Sequence, residues 1–130
     1  MDTNPKILVW NLSDEEMRLF GLFLKDIDGP RLEQIRRDQG HLLVREILFT
    51  DKVSSDEFDS NEKVVLFYNV QAEMVQKVVA GIRESEDLPR PIFAVVTQHS
   101  IDWKFSHLVE ELVKERDYFN AHKGAQPDDH

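Results

Sequence analysis

Three short runs constrain this chain more than anything else in it: KILVW at 6–10, KVVLFY at 63–68 and IFAVVT at 92–97. Each is rich in β-branched, aliphatic and aromatic residues, too short for a helix and too apolar for a loop, so each reads as a buried strand. Helical patterns come after them. Over 13–27, Ser13 and Glu16 form a capping box, Asp14, Glu15 and Glu16 oppose the helix dipole, and Asp28, Gly29 and Pro30 stop the helix. Over 71–84, Met74, Val75, Val78, Val79 and Ile82 make one apolar stripe, and over 102–120 Phe105, Leu108, Val109, Leu112, Val113 and Phe119 make another. Strict alternation of strands and amphipathic helices predicts a sheet with helices on its faces.

Segment 31–37 has only Leu32 and Ile35 apolar among charges, which suits an edge strand with one side in water. In 42–50, Leu43, Val44, Ile47 and Leu48 fall at helical spacing and predict a short helix. Segment 51–62, DKVSSDEFDSNE, is acidic, Ser-rich and aperiodic, as expected of a solvated linker. A shift of 57 lays Lys6 on Lys63, the strand at 7–10 on 64–67, Glu16 on Glu73 and Met17 on Met74; a shift of 65 lays LVREIL at 43–48 on LVEELV at 108–113.

The resulting expectation is one α/β domain over 1–120, with pseudo-repeats 6–50 and 63–120 and a disordered tail at 121–130. Each repeat is strand-helix-strand-helix. Together they form a four-stranded, mostly parallel sheet with helices on its faces and the strands at Lys6, Lys63 and Ile92 central. Reading 42–50 as a strand gives the alternative, a ferredoxin-like βαββαβ sandwich plus a C-terminal helix.

Composition narrows the chemistry. A length of 130 residues with 41% hydrophobic and 32% charged content suits one globular core. No apolar run approaches the roughly 20 residues needed to span a bilayer, and the start lacks a basic, apolar leader, so a cytoplasmic location is expected. No cysteine is present, which removes disulfides, thiolate nucleophiles and iron-sulfur ligation. The net charge of -9 disfavours nucleic acid and anionic membrane as partners.

The strand ending AVVT at 94–97, then Trp103, then LVEELVKE at 108–115 carry a resemblance, over about 63–119, to the bacterial and archaeal domain of unknown function family 3783. The resemblance implies an α/β architecture and no particular activity. The family pattern is expected to have Pro after the Thr and Asn before the Trp, where this chain has Gln98 and Ser100.

No catalytic signature emerges. His99 and His107 lack a short metal-ligand spacing, the acidic linker lacks the pattern of a calcium loop, and five scattered glycines make neither a dinucleotide fingerprint nor a P-loop. The expectation is no catalytic residue, no metal and no cofactor. If a ligand site exists, the strand-to-helix turn at 97–103 is the place. Thr97, Gln98, His99, Ser100 and Trp103 would supply it, with Asn11 and Asn69 as neighbours from the other two strong strands. The same residues also suit a simpler structural role, with Ser100 or Asp102 capping the helix and Trp103 burying its ring.

The first helix is unusually wide in its apolar surface, with Met17, Leu19, Phe20, Leu22, Phe23, Leu24 and Ile27 exceeding one stripe. Its width predicts either burial on two sides or a surface for a protein partner or homodimer. The functional expectation is therefore a non-enzymatic interaction or regulatory module, and the alternative is a small-ligand or enzymatic site at 97–103.

Overall fold

The computed structural model describes residues 4–122. Its elements run β1 (Lys6–Trp10), α1 (Asp14–Asp26), β2 (Arg31–Ile35), α2 (Val44–Phe49), β3 (Val64–Tyr68), α3 (Ala72–Glu84), β4 (Ile92–Val95) and α4 (Phe105–His122). Short 3₁₀ turns at Arg37–Gln39 and Ser100–Asp102 precede α2 and α4. Segment 42–50 thus contributes a helix and no sheet strand, so the ferredoxin-like alternative is excluded. Of the expected tail, Ala121 and His122 belong to α4 instead, and 123–130 lie outside the described residues.

The sheet order is β2-β1-β3-β4. β1 pairs parallel with β2 and β3 parallel with β4, while β1 and β3 run antiparallel at the centre, Leu8 opposite Leu66. The architecture is two βαβ units joined back to back. β2 is an edge as expected, but β4 is the other edge and not a central strand. Burial explains this. Ile7–Trp10 and Val64–Phe67 are apolar on both faces and sequestered throughout, whereas Val95 in β4 is 52% exposed.

Three layers result. Leu8, Trp10, Val64 and Leu66 face Val44, Ile47 and Leu48 of α2 and Phe105, Leu108 and Val109 of α4. Ile7, Val9, Val65 and Phe67 face Phe20 and Leu24 of α1 and Val78 and Ile82 of α3. Each large side chain buried this way contributes about 1.5–3 kcal/mol.

The capping box forms as its spacing dictates, with Glu16 N donating to Ser13 Oγ (3.1 Å) and Ser13 N to Glu16 Oε1 (2.9 Å). The width of α1 also finds an internal use. Phe20 and Leu24 face the sheet, while Phe23 reaches sideways onto Gly81 of α3, where a Cβ would stand 2.2 Å from Phe23 Cζ. Leu22 alone among the apolar residues of this helix is half exposed.

The two halves share element order, and from Lys6 to Val64 and from Asp14 to Ala72 the offset is 58 positions in both cases. A second antiparallel contact joins them before α2 and α4. Val44 N donates to Trp103 O and Phe105 N to Leu42 O, both at 2.9 Å, around the single bridge of Leu43 with Lys104.

The 51–62 linker has no regular structure, yet it is docked. Ser54 N donates to Asp38 O (2.7 Å), Phe58 N to Arg37 O (2.9 Å), and the Phe58 ring lies 5.1 Å from that of Trp10.

Candidate functional site

Because the central pair is antiparallel, the carboxyl ends of β1 and β2 lie at one end of the sheet and those of β3 and β4 at the other. Two separate crevices result, each built on two strand ends. Asn11 and Asn69 sit just beyond β1 and β3 with φ of 65° and 54°. Asparagine is among the few residues other than glycine that adopt this left-handed conformation readily.

At the β3–β4 end, Asn69, Thr97 and Gln98 meet Arg45, Tyr68, Val96 and Ile101 around an open groove of about 470 Å³. Asn11 is not among them. It lies at the opposite end of the sheet, where its Nδ2 donates to Asn61 O (3.2 Å) and Glu62 O (3.3 Å). The antiparallel direction of β3, invisible in local sequence, separates the two asparagines.

The turn itself is held by a reciprocal pair. Thr97 N donates to Ser100 Oγ (2.9 Å) and Ser100 N to Thr97 Oγ1 (3.0 Å), with a third bond between the two hydroxyls at 3.2 Å. Ser100 is buried and its hydroxyl is committed to the turn. His99 and Gln98 are exposed. Trp103 is half-buried at the margin of the core, 4.9 Å from the ring of His107 and edge-on to it. Of the seven sequence candidates, Asn69, Thr97 and Gln98 line the groove, while His99, Ser100 and Trp103 belong to the turn behind it.

Arg45 is the residue that sequence reasoning missed. It projects from α2 of the other half, and Asp102 holds it at 2.6 Å, the hydrogen bond first and the charge second raising the guanidinium pKa. Nothing local to Arg45 announces this contact, because the residue pairs across a junction between halves.

The first crevice is occupied. Trp10 Nε1 donates to Ser60 O (3.3 Å), and Arg37 pairs with Asp59 (2.8 Å) and Glu57 (3.7 Å) of the linker. About 280 Å³ remains between Trp10, Asn11, Gln34, Arg36 and the linker. The acidic side chains themselves stay in solvent as expected, Asp59 80% and Glu57 61% exposed, and the linker is seated through its backbone and Phe58.

The sheet's two edges differ as well. β2 carries Arg31 and Glu33, paired at 3.1 Å, and Lys6 of β1 reaches Glu33 at 3.6 Å. Charges of this kind discourage strand addition. β4 carries none. Ile92 N and Val96 N donate to Lys63 O and Phe67 O, both at 2.8 Å, so the even-numbered residues of β4 face β3. By the alternation of a parallel ladder, the N–H and C=O groups of Phe93 and Val95 face outward. Beside this edge a groove of about 690 Å³ runs between Ile92, Phe93, Leu112 and Phe119, with Arg83 and Arg90 at its rim. Phe119 is 70% exposed. Arg83 lies 5.8 Å over the Phe93 ring, and Arg90 Nη1 donates to Ile82 O (3.0 Å) and Ser85 O (3.3 Å) at the end of α3.

Among the described residues no three His, Asp or Glu side chains converge as a metal site, and no buried side-chain polar atom lacks a hydrogen bond. No helix among them is long and apolar enough to cross a membrane. The fold and its surfaces define a three-layer α/β protein with one filled crevice, one open crevice and one uncharged sheet edge.

Comparison with known proteins extends this in one place. Residues 63–119 match the family model described as Domain of unknown function (DUF3783), which spans β3 to most of α4 and bears out the resemblance read from AVVT, Trp103 and LVEELVKE. No curated protein and no solved structure matches the chain. The β4 edge falls within the matched segment, as does the lining of the open crevice apart from Arg45.

Proposed function

We propose that this protein is an interaction module that docks an extended partner segment along the outer edge of β4. The observation that carries this reading is the contrast between edges. β4 is uncharged and presents the N–H and C=O of Phe93 and Val95 to solvent with a half-exposed Val95 beside them, whereas β2 is guarded by Arg31 and Glu33. A strand adding to such an edge gains main-chain hydrogen bonds for affinity and alternating side-chain contacts for specificity. The flanking groove supplies apolar contact through Ile92 and Phe119, with Arg83 and Arg90 at its rim.

Selection of binding peptides from a random library, followed by amide chemical-shift mapping, tests the reading. Selected peptides are expected to perturb Phe93 and Val95 and to lose binding to Val95→Pro, which removes one outward N–H. Peptides that map consistently elsewhere overturn it.

The open groove favours a second reading, a small polar ligand held by Asn69, Thr97 and Gln98 near the cation of Arg45. A screen of small carboxylates and phosphates that shifts the Gln98 and Asn69 resonances in wild type and not in Arg45→Ala supports it; a screen without such shifts refutes it.

A further inference from the structure

We infer that the partner strand is β4 of a second copy, paired antiparallel about a two-fold axis at Ala94, so that one sheet runs through both molecules. The inference rests on the reading of β4 as the docking edge and names its occupant.

The free groups of the edge are self-complementary. In β4 the outward-facing residues Phe93 and Val95 lie symmetrically on either side of Ala94. When two such strands run antiparallel, Phe93 of one copy faces Val95 of the other, and the two exchange both hydrogen bonds, twice over by symmetry. The ladder also stops at the same place on both copies. The next pair outward would join Pro91 to Thr97. Pro91 has no N–H to donate. Thr97 N is already given to Ser100 Oγ (2.9 Å), and Thr97 O already accepts from Ile101 N (3.0 Å). The outward carbonyl of Pro91 finds no donor in Thr97 N, which Ser100 Oγ already holds, and it stays with solvent at the end of the ladder.

Side chains agree with this register. On the α1–α3 face, Phe93 would lie opposite Val95 of the other copy, an aromatic and β-branched pair of the kind that stabilises antiparallel sheets. The 52% exposure of Val95 would thereby be reduced. On the α2–α4 face, Ala94 meets its own copy, where only a small residue keeps the two sets of helices from colliding. Ile92 would face Val96. No carboxylate of this acidic chain lies on β4, so the pairing sets no like charges against each other at the strand. The net charge of -9 still repels the two copies at long range, and added salt strengthens the dimer by screening it.

Sedimentation of the full chain over concentrations up to about 1 mM, at low and at high salt, tests the inference. Wild type is expected to show a monomer–dimer equilibrium that tightens with salt. Val95→Lys should raise the dissociation constant at least about tenfold, Val95→Pro should do the same, and Phe119→Ser should weaken the dimer less. Leu22→Lys on α1 and Arg31→Ala on the opposite edge should leave it intact. Thermal melts at low concentration, where wild type is monomeric, separate loss of pairing from loss of fold. In wild type the Phe93 and Val95 amides should gain hydrogen-exchange protection as concentration rises. A wild type monomeric at every concentration and salt overturns the inference, as does a dimer indifferent to Val95→Lys or one abolished by Leu22→Lys. Failure here is distinguishable from failure of the docking edge, because peptides that still perturb Phe93 and Val95 of a monomeric protein leave that reading standing without self-pairing.

Discussion

The two carboxyl-terminal crevices of this sheet are built from the same sequence of elements, yet one is filled and the other is open. At the β1–β2 end, Trp10 packs at a tilt against Phe58 and Phe105, and the linker's Ser60 and Asp59 border it. At the β3–β4 end, Tyr68, Asn69, Thr97 and Gln98 border a groove. The difference lies in the path of the chain through and beyond the second helix of each half. After α2 the chain must travel back to begin β3, and its return path crosses the first crevice. α4 instead continues as a helix of 18 residues. The lesson is that a crevice at strand ends is a site only when the chain's own connections leave it uncovered.

The largest effect should come from the filled side. Trp10→Ala removes a fully packed ring and should cost about 3–5 kcal/mol, while Trp103→Ala, at the margin of the open half, should cost about 1–2 kcal/mol. Urea unfolding of both variants measures the contrast, and equal costs would break it.

Next in size is Gly40→Ala. A Cβ there would stand 2.3 Å from the Cβ of Phe58, close to the backbone and unable to move aside like the tip of a flexible side chain. Overpacking of this kind costs about 1–3 kcal/mol, and it should lift the linker from the first crevice. Limited proteolysis should then cut faster within 51–62 and leave the 97–103 turn at its wild-type rate.

A smaller effect concerns the helix starts. α1 is capped by Ser13 and Glu16, with Glu16 also bonded to Lys63 at 2.6 Å, while α3 has Gln71 at its N-cap position and no side-chain cap. Burial pushes the Glu16 pKa up, but the Lys63 and Ser13 hydrogen bonds outweigh it and hold the carboxyl below its ordinary 4.5. Since the folded value is the lower one, this stability is present above the ordinary glutamate range and is lost as pH falls through the folded value. Glu16→Gln should cost about 1 kcal/mol at neutral pH and flatten the fall in melting temperature between about pH 5 and pH 3. An unchanged acid profile would show that Glu16 does not link the halves energetically.

The smallest effects belong to Gln98→Ala and His99→Ala, both exposed, each within about 0.5 kcal/mol of wild type in stability. Loss of cellular function in either variant without a change in melting temperature would favour the ligand reading of the open crevice.

Much of the fold is legible locally. Ser13 and Glu16 stand three apart and find each other within one turn, so their box needs nothing beyond the helix. The short helix at 42–50 is marked by its own spacing of Leu43, Val44, Ile47 and Leu48. Phe58 shows the opposite case. Its neighbours in sequence are Asp56, Glu57, Asp59 and Ser60, which read as solvent-facing, and only the arrival of Trp10 and Phe105 from distant elements makes it a packing residue. The candidate site divides the same way. Thr97 and Ser100 bond within their own turn, whereas the separation of Asn11 from Asn69 and the arrival of Arg45 depend on how the halves meet.

By itself the sequence determined the kinds of element, their order, the layers they form and the family likeness of 63–119, because periodicity, capping and turn chemistry act over a few residues. Only the tertiary structure decided that β3 runs against β1, that β4 lies at an edge and that one crevice is covered while the other is open. Those outcomes rest on pairings between residues far apart in the chain, such as Trp10 Nε1 with Ser60 O, 50 positions on. Strand direction and neighbour are chosen by which whole surfaces bury best together, and no short stretch of chain carries that information.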